Sequence, residues 1–427
     1  MALKAETIFF GPTIFLLERA MPIGFREAEG GLQVLACPTA INLWNRSYAR
    51  AYSLLSNFEA EDIHINAVVN EIHEATHIDV PNVSIEELGR DTLAGFYLAA
   101  FWKAYQDARD YDIYHHMHLG FRGANPAAIA GLRDNTPFLV GPAEAGHDVP
   151  PNEVKTILRR QVSLTLPEWA IEATYNALKP LKDSIINPAR EYAFAKTLQA
   201  ADRIVAVHSD AKEQFAQYTD PEKIEVIPYG VDLEKFTFEG GETEPQIVTV
   251  GNLIHRKGHR YLLRAMPKIL DKVPTAHLHI VGTGYLETDL QNLAKELSVA
   301  DSTTFHGFVP DDELLSLLHS ARVFVHPSSS EGFSHVRLEA MATGTPVVGT
   351  NVSGAHELTN HGEDGFVVPR CSSSELAEAT LQLLLDERRA REMGRRAREH
   401  VEQDHDYEKI GKRYLEIYRE LAAGKET

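Results

Sequence analysis

The segment Gln246–Gly284 reads QIVTVGNLIHRKGHRYLLRAMPKILDKVPTAHLHIVGTG and places two apolar, β-branched runs on either side of an amphipathic pattern. The first run, 246–250, ends at a glycine, the helical spacing covers 259–270, and the second run covers 276–281. A strand, a helix and a second strand in this order form the unit from which parallel sheets are built. The segment therefore predicts a parallel sheet with helices packed on it.

The same alternation continues toward the C-terminus and also occurs in the first half. Further strands are predicted at 303–308, 323–326, 346–349 and 365–368, and further helices at 286–297, 311–320, 334–343 and 373–384. In the first half, strands are predicted at 32–36, 62–69, 112–117, 138–140 and 203–207, and helical patterns at 84–109 and, interrupted by prolines, 152–200. An α/β protein with two doubly wound units follows, and in such sheets ligands bind at the carboxyl ends of the strands.

The length of 427 residues suggests about two domains. The glycine pair in Glu239–Glu242 is typical of a flexible join, so we predict an N-terminal domain over 1–240 and a second domain over 241–400. A charged helical pattern covers 388–423. We expect residues 401–427 to form a C-terminal helix that packs back on the first domain.

Composition argues against several classes of protein. Lys and Arg number 42 and Asp and Glu 61, a net charge of -19, which disfavours nucleic acid as a partner because phosphate neutralisation needs a basic surface. The 2 cysteines, Cys37 and Cys371, are too few for a disulfide framework. No run approaches the roughly 18 to 20 apolar residues that span a bilayer, and residues 7–17 lack a signal-peptide cleavage pattern. We therefore expect a cytoplasmic protein with at most peripheral contact with the inner face of a membrane.

Two glutamates, Glu331 and Glu339, stand in EGFSHVRLE, where a predicted strand passes into a predicted helix. Glu331 lies in the loop and Glu339 more than one turn inside the helix, so both carboxylates can address one extended ligand at different depths. The amides near Gly332, Phe333 and Ser334 would be the unpaired donors of a helix N-terminus, which bind phosphate well. Taken alone, such a pair is more often two solvated charges.

The residues around this pair carry a resemblance to a known family. The pair is followed by AMATGTPVV (340–348) and SGAHEL (353–358) and preceded by VGNLIHRKG (250–258), VGTG (281–284) and HGFVP (306–310). In this order and spacing they resemble the retaining glycosyltransferases of the GT-B fold, glycosyltransferase family 4 (group 1). The resemblance covers residues 246–369. It extends more faintly to DIYHHMH (112–118), GPAE (141–144), RIVAVHS (203–209) and PYGVD (228–232).

The resemblance implies two Rossmann-like, doubly wound domains that face a central cleft. It implies a retaining hexosyltransferase that moves a hexosyl group from a nucleotide diphosphate sugar, with UDP or GDP as the nucleotide, to an acceptor hydroxyl. The acceptor would be a saccharide or a lipid-linked glycan of the cell envelope. No metal or other cofactor is required, because fixed cations can stabilise the leaving diphosphate as magnesium would.

The resemblance also assigns roles to residues. The donor would be bound by Gly251, Asn252, Arg256, Lys257, Gly282, Phe308, Gly332, Phe333, Ser334 and Glu339. Lys257 would pair with the diphosphate and Glu339 with the ribose hydroxyls, while Glu331 would face the sugar. Gly282 and the segment around Phe308 would frame the base. The family usually has arginine where this chain has Asn252, so a neutral hydrogen bond replaces a charged one.

Three histidines end a predicted strand of the first half, and a histidine at this place contacts the donor sugar in the family. Side chains alternate along a strand, so adjacent histidines cannot all face the cleft. We predict that His116 and His118 do so, and the choice among His115, His116 and His118 stays open. Ordinary strand-end residues are the competing interpretation.

Other functions stay open from the sequence. A nucleotide-sugar epimerase of the same architecture would need no acceptor, and a catalytically silent nucleotide-sugar-binding subunit would fit the change at Asn252. The segment 154–185 mixes basic and apolar residues and could lie on a membrane surface. Packing within the acceptor domain is the simpler interpretation, because Pro167 and Pro180 break the apolar face that an interfacial helix needs.

Overall fold

In the computed structural model of the chain, the described residues are 31–36, 54–69, 80–87, 111–117, 136–144, 187–241 and 243–424, with 176–177, 179–180 and 184 in addition. The predicted features at Cys37, at His118 and over most of 152–186 lie outside these residues.

The first sheet has seven parallel strands in the order β3-β2-β1-β4-β5-β6-β7. They are β1 Leu32–Ala36, β2 Ile63–Val69, β3 Val83–Glu87, β4 Ile113–His116, β5 Phe138–Ala143, β6 Arg203–Ala206 and β7 Ile224–Val226. Val34 pairs with Ile65 on one side and with Ile113 on the other, which fixes the register at the centre of the sheet. The five strands predicted in the first half are confirmed: β1 has the predicted bounds, and the ends of the other four shift by one to three residues.

The helix predicted over 84–109 is wrong at its start, because β3 occupies this place and pairs with β2. Val83 is buried and Ile85 packs against the same apolar cluster, the spacing of a strand with one inward face. The alternation lasts only a few residues, so the helical spacing that follows it dominated the sequence pattern. Residues 88–109 lie outside the described part of the chain.

The second sheet has six parallel strands in the order β10-β9-β8-β11-β12-β13. They are β8 Glu244–Val250, β9 His277–Val281, β10 Thr303–Gly307, β11 Ala321–His326, β12 Val347–Thr350 and β13 Gly365–Val368. β8 lies between β9 and β11, so the order of the strands reverses beside it, and ligands bind at the carboxyl ends of strands at such a switch point. All six predicted strands are confirmed.

Helices cover both faces of the second sheet and connect it to the first. In chain order the described helices are α1 Asn187–Ala200, α2 Ser209–Phe215, α3 His259–Lys272, α4 Glu287–Glu296, α5 Asp311–Ser320, α6 His335–Ala342, α7 Ala355–Leu358, α8 Ser373–Leu384, α9 Glu387–Asp404 and α10 Tyr407–Ala423. Leu262, Met266 and Ile269 of α3 are buried against Ile247 of the sheet, as the helical spacing predicts. The five helices predicted in the second half are confirmed, and α7 is additional.

The charged pattern at the C-terminus forms two helices, because the chain turns at His405. The side chain of Asp406 accepts a hydrogen bond from the Glu408 amide and begins α10. Tyr414 and Tyr418 of α10 are buried in the apolar cluster of the first sheet, where Phe58 contacts both rings. Helix α10 thus packs on the first sheet, while the domain boundary at Gly240 stays a prediction.

Candidate functional site

Three loops converge at the carboxyl ends of β8, β9 and β10. The amide of Gly251 donates to the Val281 carbonyl at 2.9 Å, and the amide of Gly282 donates to the Gly307 carbonyl at 2.7 Å. Gly282 has φ +133°, and an added Cβ would lie 2.2 Å from the Gly251 carbonyl oxygen. Only glycine fits at 282, and the loops form a narrow frame from which the Phe308 side chain, 62% exposed, projects.

A short turn after β8 carries the two basic residues of the site. His255–Lys257 form one turn of 3-10 helix, and Gly258, with φ +71°, ends it and begins α3. The Arg256 carbonyl accepts a hydrogen bond from the Ser329 amide at 2.7 Å. This bond fixes the turn to the loop that follows β11, and that loop contains Glu331.

The Glu331 carboxylate is the centre of the site and is 6% exposed. Its Oε2 contacts Arg256 Nη1 at 3.1 Å, and its Oε1 is paired with the Lys257 ammonium group. Oε1 also accepts from Ser328 Oγ at 2.9 Å and lies 3.2 Å from His326 Nε2. The structure therefore brings together Glu331, Lys257 and Arg256, three of the residues to which the sequence assigned a role.

Opposing effects act on the charge of Glu331. Burial raises the pKa of this carboxyl group, but Lys257, His326 and Arg256 together outweigh burial and hold the pKa well below its usual range. Glu331 is therefore a carboxylate at neutral pH. With two cations around one carboxylate, the cluster has a net positive charge at the N-terminus of α6, where first-turn amides lack helical partners.

Asn252 and Glu339 were also predicted to bind the donor. Asn252 is exposed in the loop after β8, and its carbonyl accepts from the Ile254 amide at 2.8 Å. Arg256, rather than residue 252, supplies the guanidinium group that contacts Glu331. Glu339 is half-buried one turn inside α6, whereas Glu331 lies in the loop before this helix. The roles predicted for both residues in donor binding stay predictions.

The loop 331–334 also contacts residues that follow strands of the first sheet. His208 accepts from the Ala211 amide at Nδ1, 3.0 Å, so its Nε2 carries the proton and donates to the Gly332 carbonyl at 2.8 Å. A Cβ at Gly332 would lie 2.2 Å from Glu144 Oε2, so the Glu144 side chain passes close to this backbone. Both residues lie in segments that carry the fainter resemblance, but nothing in the sequence identified them as neighbours of Gly332.

Phe333 and Ser334 are buried, and their side chains point away from open space. The Phe333 ring meets Tyr229 edge-on with centroids 4.9 Å apart, and Ser334 Oγ lies 3.4 Å from the His326 ring nitrogens. Their side chains are thus turned away from a ligand, and the role of their backbone amides in donor binding stays a prediction.

The histidines of β4 face opposite sides of the first sheet. His115 is 1% exposed, and its ring lies between Tyr418 Oη, at 2.6 Å, and the Gly141 carbonyl, at 2.5 Å. Burial lowers the pKa of His115 to about 4, so the ring is a neutral part of the contact with α10. His116 points to the other face and is the remaining candidate in the described residues, while His118 lies outside them.

The described residues contain no group of three or more His, Cys, Asp and Glu side chains arranged to hold a metal ion. Within the same residues, every helix is too short or too polar to cross a membrane.

Two family models match the chain. Glycosyltransferase Family 4 matches residues 50–235, and Glycosyl transferases group 1 matches residues 232–400. The first match covers strands of the first sheet, and the second covers the second sheet with Glu331, Lys257 and Arg256. Both sheets therefore have counterparts in known glycosyltransferases.

Known proteins resemble the chain in sequence and in fold. The GDP-mannose-dependent alpha-(1-6)-phosphatidylinositol monomannoside mannosyltransferase of Mycobacterium tuberculosis is 38% identical over 221 residues, 47% of this chain and 57% of that protein. The chain thus spans little more than half the length of this relative. The sucrose-phosphate synthase of Thermosynechococcus elongatus has a TM-score of 0.68 at 20% identity and covers 92% of this chain and 100% of its own. HepE of Anabaena, solved with UDP, has a TM-score of 0.65 at 19% identity and covers 91% of this chain and 100% of its own. The chain therefore belongs to the family 4 (group 1) glycosyltransferases and has the GT-B fold.

Proposed function

We propose that the chain is a retaining hexosyltransferase that uses a nucleotide diphosphate sugar, with GDP-mannose as the first donor to test. The observation that carries the proposal is the contact of Glu331 with Lys257 and Arg256 at the N-terminus of α6. The cluster has an excess of positive charge, which a diphosphate would neutralise. The name of the mycobacterial relative, which includes GDP-mannose, supports this choice of donor.

Cleavage of the bond between sugar and diphosphate develops positive charge at the anomeric carbon and negative charge on the departing phosphate. In the proposed reaction Lys257 and Arg256 stabilise the phosphate, and Glu331 stabilises the oxocarbenium-like sugar. The acceptor hydroxyl attacks from the face that the diphosphate leaves and gives its proton to a phosphate oxygen, so the configuration is retained. Metal independence is part of the proposal, because fixed cations supply the charge that a metal ion would supply.

The rest of the donor would lie along the loops that follow β8, β9 and β10. The base would lie beside Gly282 and the exposed Phe308 ring, and the ribose would lie at Glu339. His116, with His118 as the second candidate, would contact the sugar from the first domain. The amides of 332–334 would bind donor hydroxyls or phosphate, since their side chains point elsewhere.

The proposed acceptor is a saccharide, with a lipid-linked glycan as the first choice. The mycobacterial relative is named for a phosphatidylinositol monomannoside, a mannosylated lipid, and this name supports the choice. A lipid-linked acceptor would place a cytoplasmic protein at the inner face of a membrane. Flotation with anionic vesicles, with and without a mannosylated lipid, tests this contact.

The full chain incubated with radiolabelled GDP-mannose and a mannosylated lipid extract tests the function. We expect label in the acceptor, an α-linkage by product analysis, and no loss of activity with a chelator. UDP-glucose in parallel tests the other nucleotide. Formation of an epimerised sugar from the nucleotide sugar alone would show that the chain is an epimerase and not a transferase. Tight donor binding without turnover would favour a catalytically silent subunit. A donor that neither binds nor reacts, with either nucleotide, contradicts the proposal.

A further inference from the structure

Behind Glu331 lies a buried arginine that the proposed reaction does not use. Arg337, in the first turn of α6, is 0% exposed. Its Nε donates to His326 Nδ1 at 3.0 Å and its Nη2 to the Thr350 carbonyl at 2.6 Å. A Cβ at Gly349 would lie 2.4 Å from Arg337 Cζ, so the guanidinium fills the space that this glycine leaves.

Burying a charged arginine side chain lowers the stability of a fold. Removing a guanidinium from water costs several kcal/mol unless the charge is paired. Among the described residues no ion pair includes Arg337, and its Nη1 is buried without a hydrogen-bond partner there. Burial lowers the pKa of Arg337 to about 10, so the group is still charged at neutral pH. A role that uses this charge would explain why an apolar residue does not occupy the position.

The hydrogen bond from Arg337 determines the tautomer of His326. A guanidinium nitrogen can only donate, so His326 Nδ1 must be the acceptor and the proton of a neutral ring lies on Nε2. Nε2 lies 3.2 Å from Glu331 Oε1 and 3.2 Å from Ser328 Oγ. The ring therefore has a donor N–H directed at the carboxylate.

We propose that Arg337 is a positioning residue for Glu331: it holds His326 in the neutral Nε2–H form, and that N–H fixes the carboxylate in the donor pocket. This rests on the proposed function, in which Lys257 and Arg256 turn to the diphosphate when donor binds. The neutral donors His326 and Ser328 then remain to orient Glu331. In the donor complex the carboxylate would depend on them more than it does in the free protein.

The charges around the ring favour the neutral form. Burial lowers the pKa of His326 to about 4, with Arg337 and Lys257 acting in the same direction and the Glu331 carboxylate opposing them. His259, at the start of α3, is a further titratable group that interacts with the ring, and burial lowers its pKa to about 3. Removing Arg337 takes away one cation and the donor at Nδ1, so the ring becomes easier to protonate beside Glu331.

Three substitutions test these contacts. In Arg337→Met the pKa of the ring is expected to rise, so kcat with GDP-mannose falls roughly 10- to 100-fold as the pH is lowered, while KM changes little. Adding His326→Gln should abolish the acid limb, because an amide donates to Glu331 without titrating. Arg337→Lys, which keeps the charge, should recover part of the rate. Wild-type kcat in Arg337→Met, or an acid limb that persists with glutamine at 326, overturns the proposal.

A spectroscopic measurement separates this proposal from the proposed function. Nitrogen-15 spectra of the histidine rings in the full chain, assigned with His326→Gln, report the tautomer without any donor. We expect the Nε2–H form of His326 in wild type across about pH 5 to 8. A charged ring or the Nδ1–H form at neutral pH overturns the proposal. Because this measurement uses the wild-type protein, it tests the proposal even if Arg337→Met does not fold. Absent turnover with the expected ring form contradicts only the proposed function.

Discussion

Replacing Gly258 with alanine is expected to destabilise the protein and disable donor binding together. Gly258 has φ +71°, and an added Cβ would lie 2.0 Å from the Pro327 carbonyl oxygen, so the turn 255–257 or the loop after β11 must move. These two segments carry Lys257 and Glu331, and the backbone bond from the Ser329 amide to the Arg256 carbonyl joins them in addition to the side-chain contacts of Glu331. Movement of either segment therefore separates the two charged groups.

The magnitude follows from two contributions. The left-handed backbone costs an alanine roughly 1 to 2 kcal/mol, of which about 0.4 to 1 kcal/mol is offset because the unfolded chain becomes less flexible. Relieving the contact with a main-chain oxygen adds about 1 to 3 kcal/mol. Gly258→Ala should thus lose roughly 1 to 5 kcal/mol of unfolding free energy. Gly362 has φ +87°, and an added Cβ there would meet nothing within 4 Å apart from its chain neighbours, so Gly362→Ala should lose only about 0 to 1.5 kcal/mol.

We would measure the unfolding free energy of both variants by thermal and urea unfolding. Calorimetric titration with GDP and GDP-mannose would then give their donor affinity. Gly362→Ala controls for backbone strain, so the difference between the variants reports the contact at Pro327. We expect donor affinity to fall at least about tenfold in Gly258→Ala, the equivalent of 1.4 kcal/mol, and to be unchanged in Gly362→Ala. Equal stability losses in the two variants, or wild-type donor affinity in Gly258→Ala, would refute the reasoning.

Three further outcomes are expected. Lys257→Met should weaken GDP-mannose binding roughly 10- to 100-fold in calorimetry, because one charged contact with the diphosphate is lost; an unchanged affinity would remove the role of this lysine. The Glu357 carboxylate accepts hydrogen bonds from the Ser209 amide, at 2.9 Å, and from the Ser209 hydroxyl, and this contact joins a residue of α7 to a residue of α2. If the contact holds the two sheets together, Glu357→Ala should enlarge the radius of gyration in small-angle scattering. An unchanged radius would contradict this role. Burial lowers the pKa of His400, but the hydrogen bond and the charge of Asp364 outweigh burial and raise this pKa. The contact between His400 and Asp364 therefore stabilises the fold below about pH 6.5, and this stabilisation is lost as the pH rises through the raised pKa. The stability difference between wild type and His400→Gln should therefore be larger in acid than in alkali, and a difference that is flat with pH would contradict this.

The strands and long helices were predictable because their patterns are local. In α3, for example, the helical spacing of apolar residues between two β-branched runs leaves little choice of structure. The failures have equally local causes. Helix α7 has four residues, too few for a period to show, and the break at His405 lies inside a charged pattern that continues on both sides. Strand β3 was missed because its pairing with β2, a contact distant in sequence, outweighs the helical spacing nearby.

The candidate site was predictable in part. Motif order and spacing identified Lys257, Arg256 and Glu331, and the structure places them in contact. That Lys257 pairs with Glu331 itself was not predictable, because the sequence assigned one to the phosphate and the other to the sugar. The contact between Arg337 and His326 could not be predicted from the sequence for another reason. The two residues belong to a helix and a strand, and only the packing of α6 on the sheet brings their side chains together.

The segment 331–337 is held by both sheets at once, and this determines how the site would respond when the domains separate. The Glu331 side chain is fixed by residues of the second sheet and its loops, whereas the carbonyl of the adjacent Gly332 accepts from His208, which follows the first sheet. Opening of the cleft would therefore break the His208 contact unless the loop 331–334 moved together with the first sheet. In the proposed reaction, loss of this contact would loosen the backbone next to Glu331, so bond cleavage would be favoured in the closed state, where water is excluded from the donor.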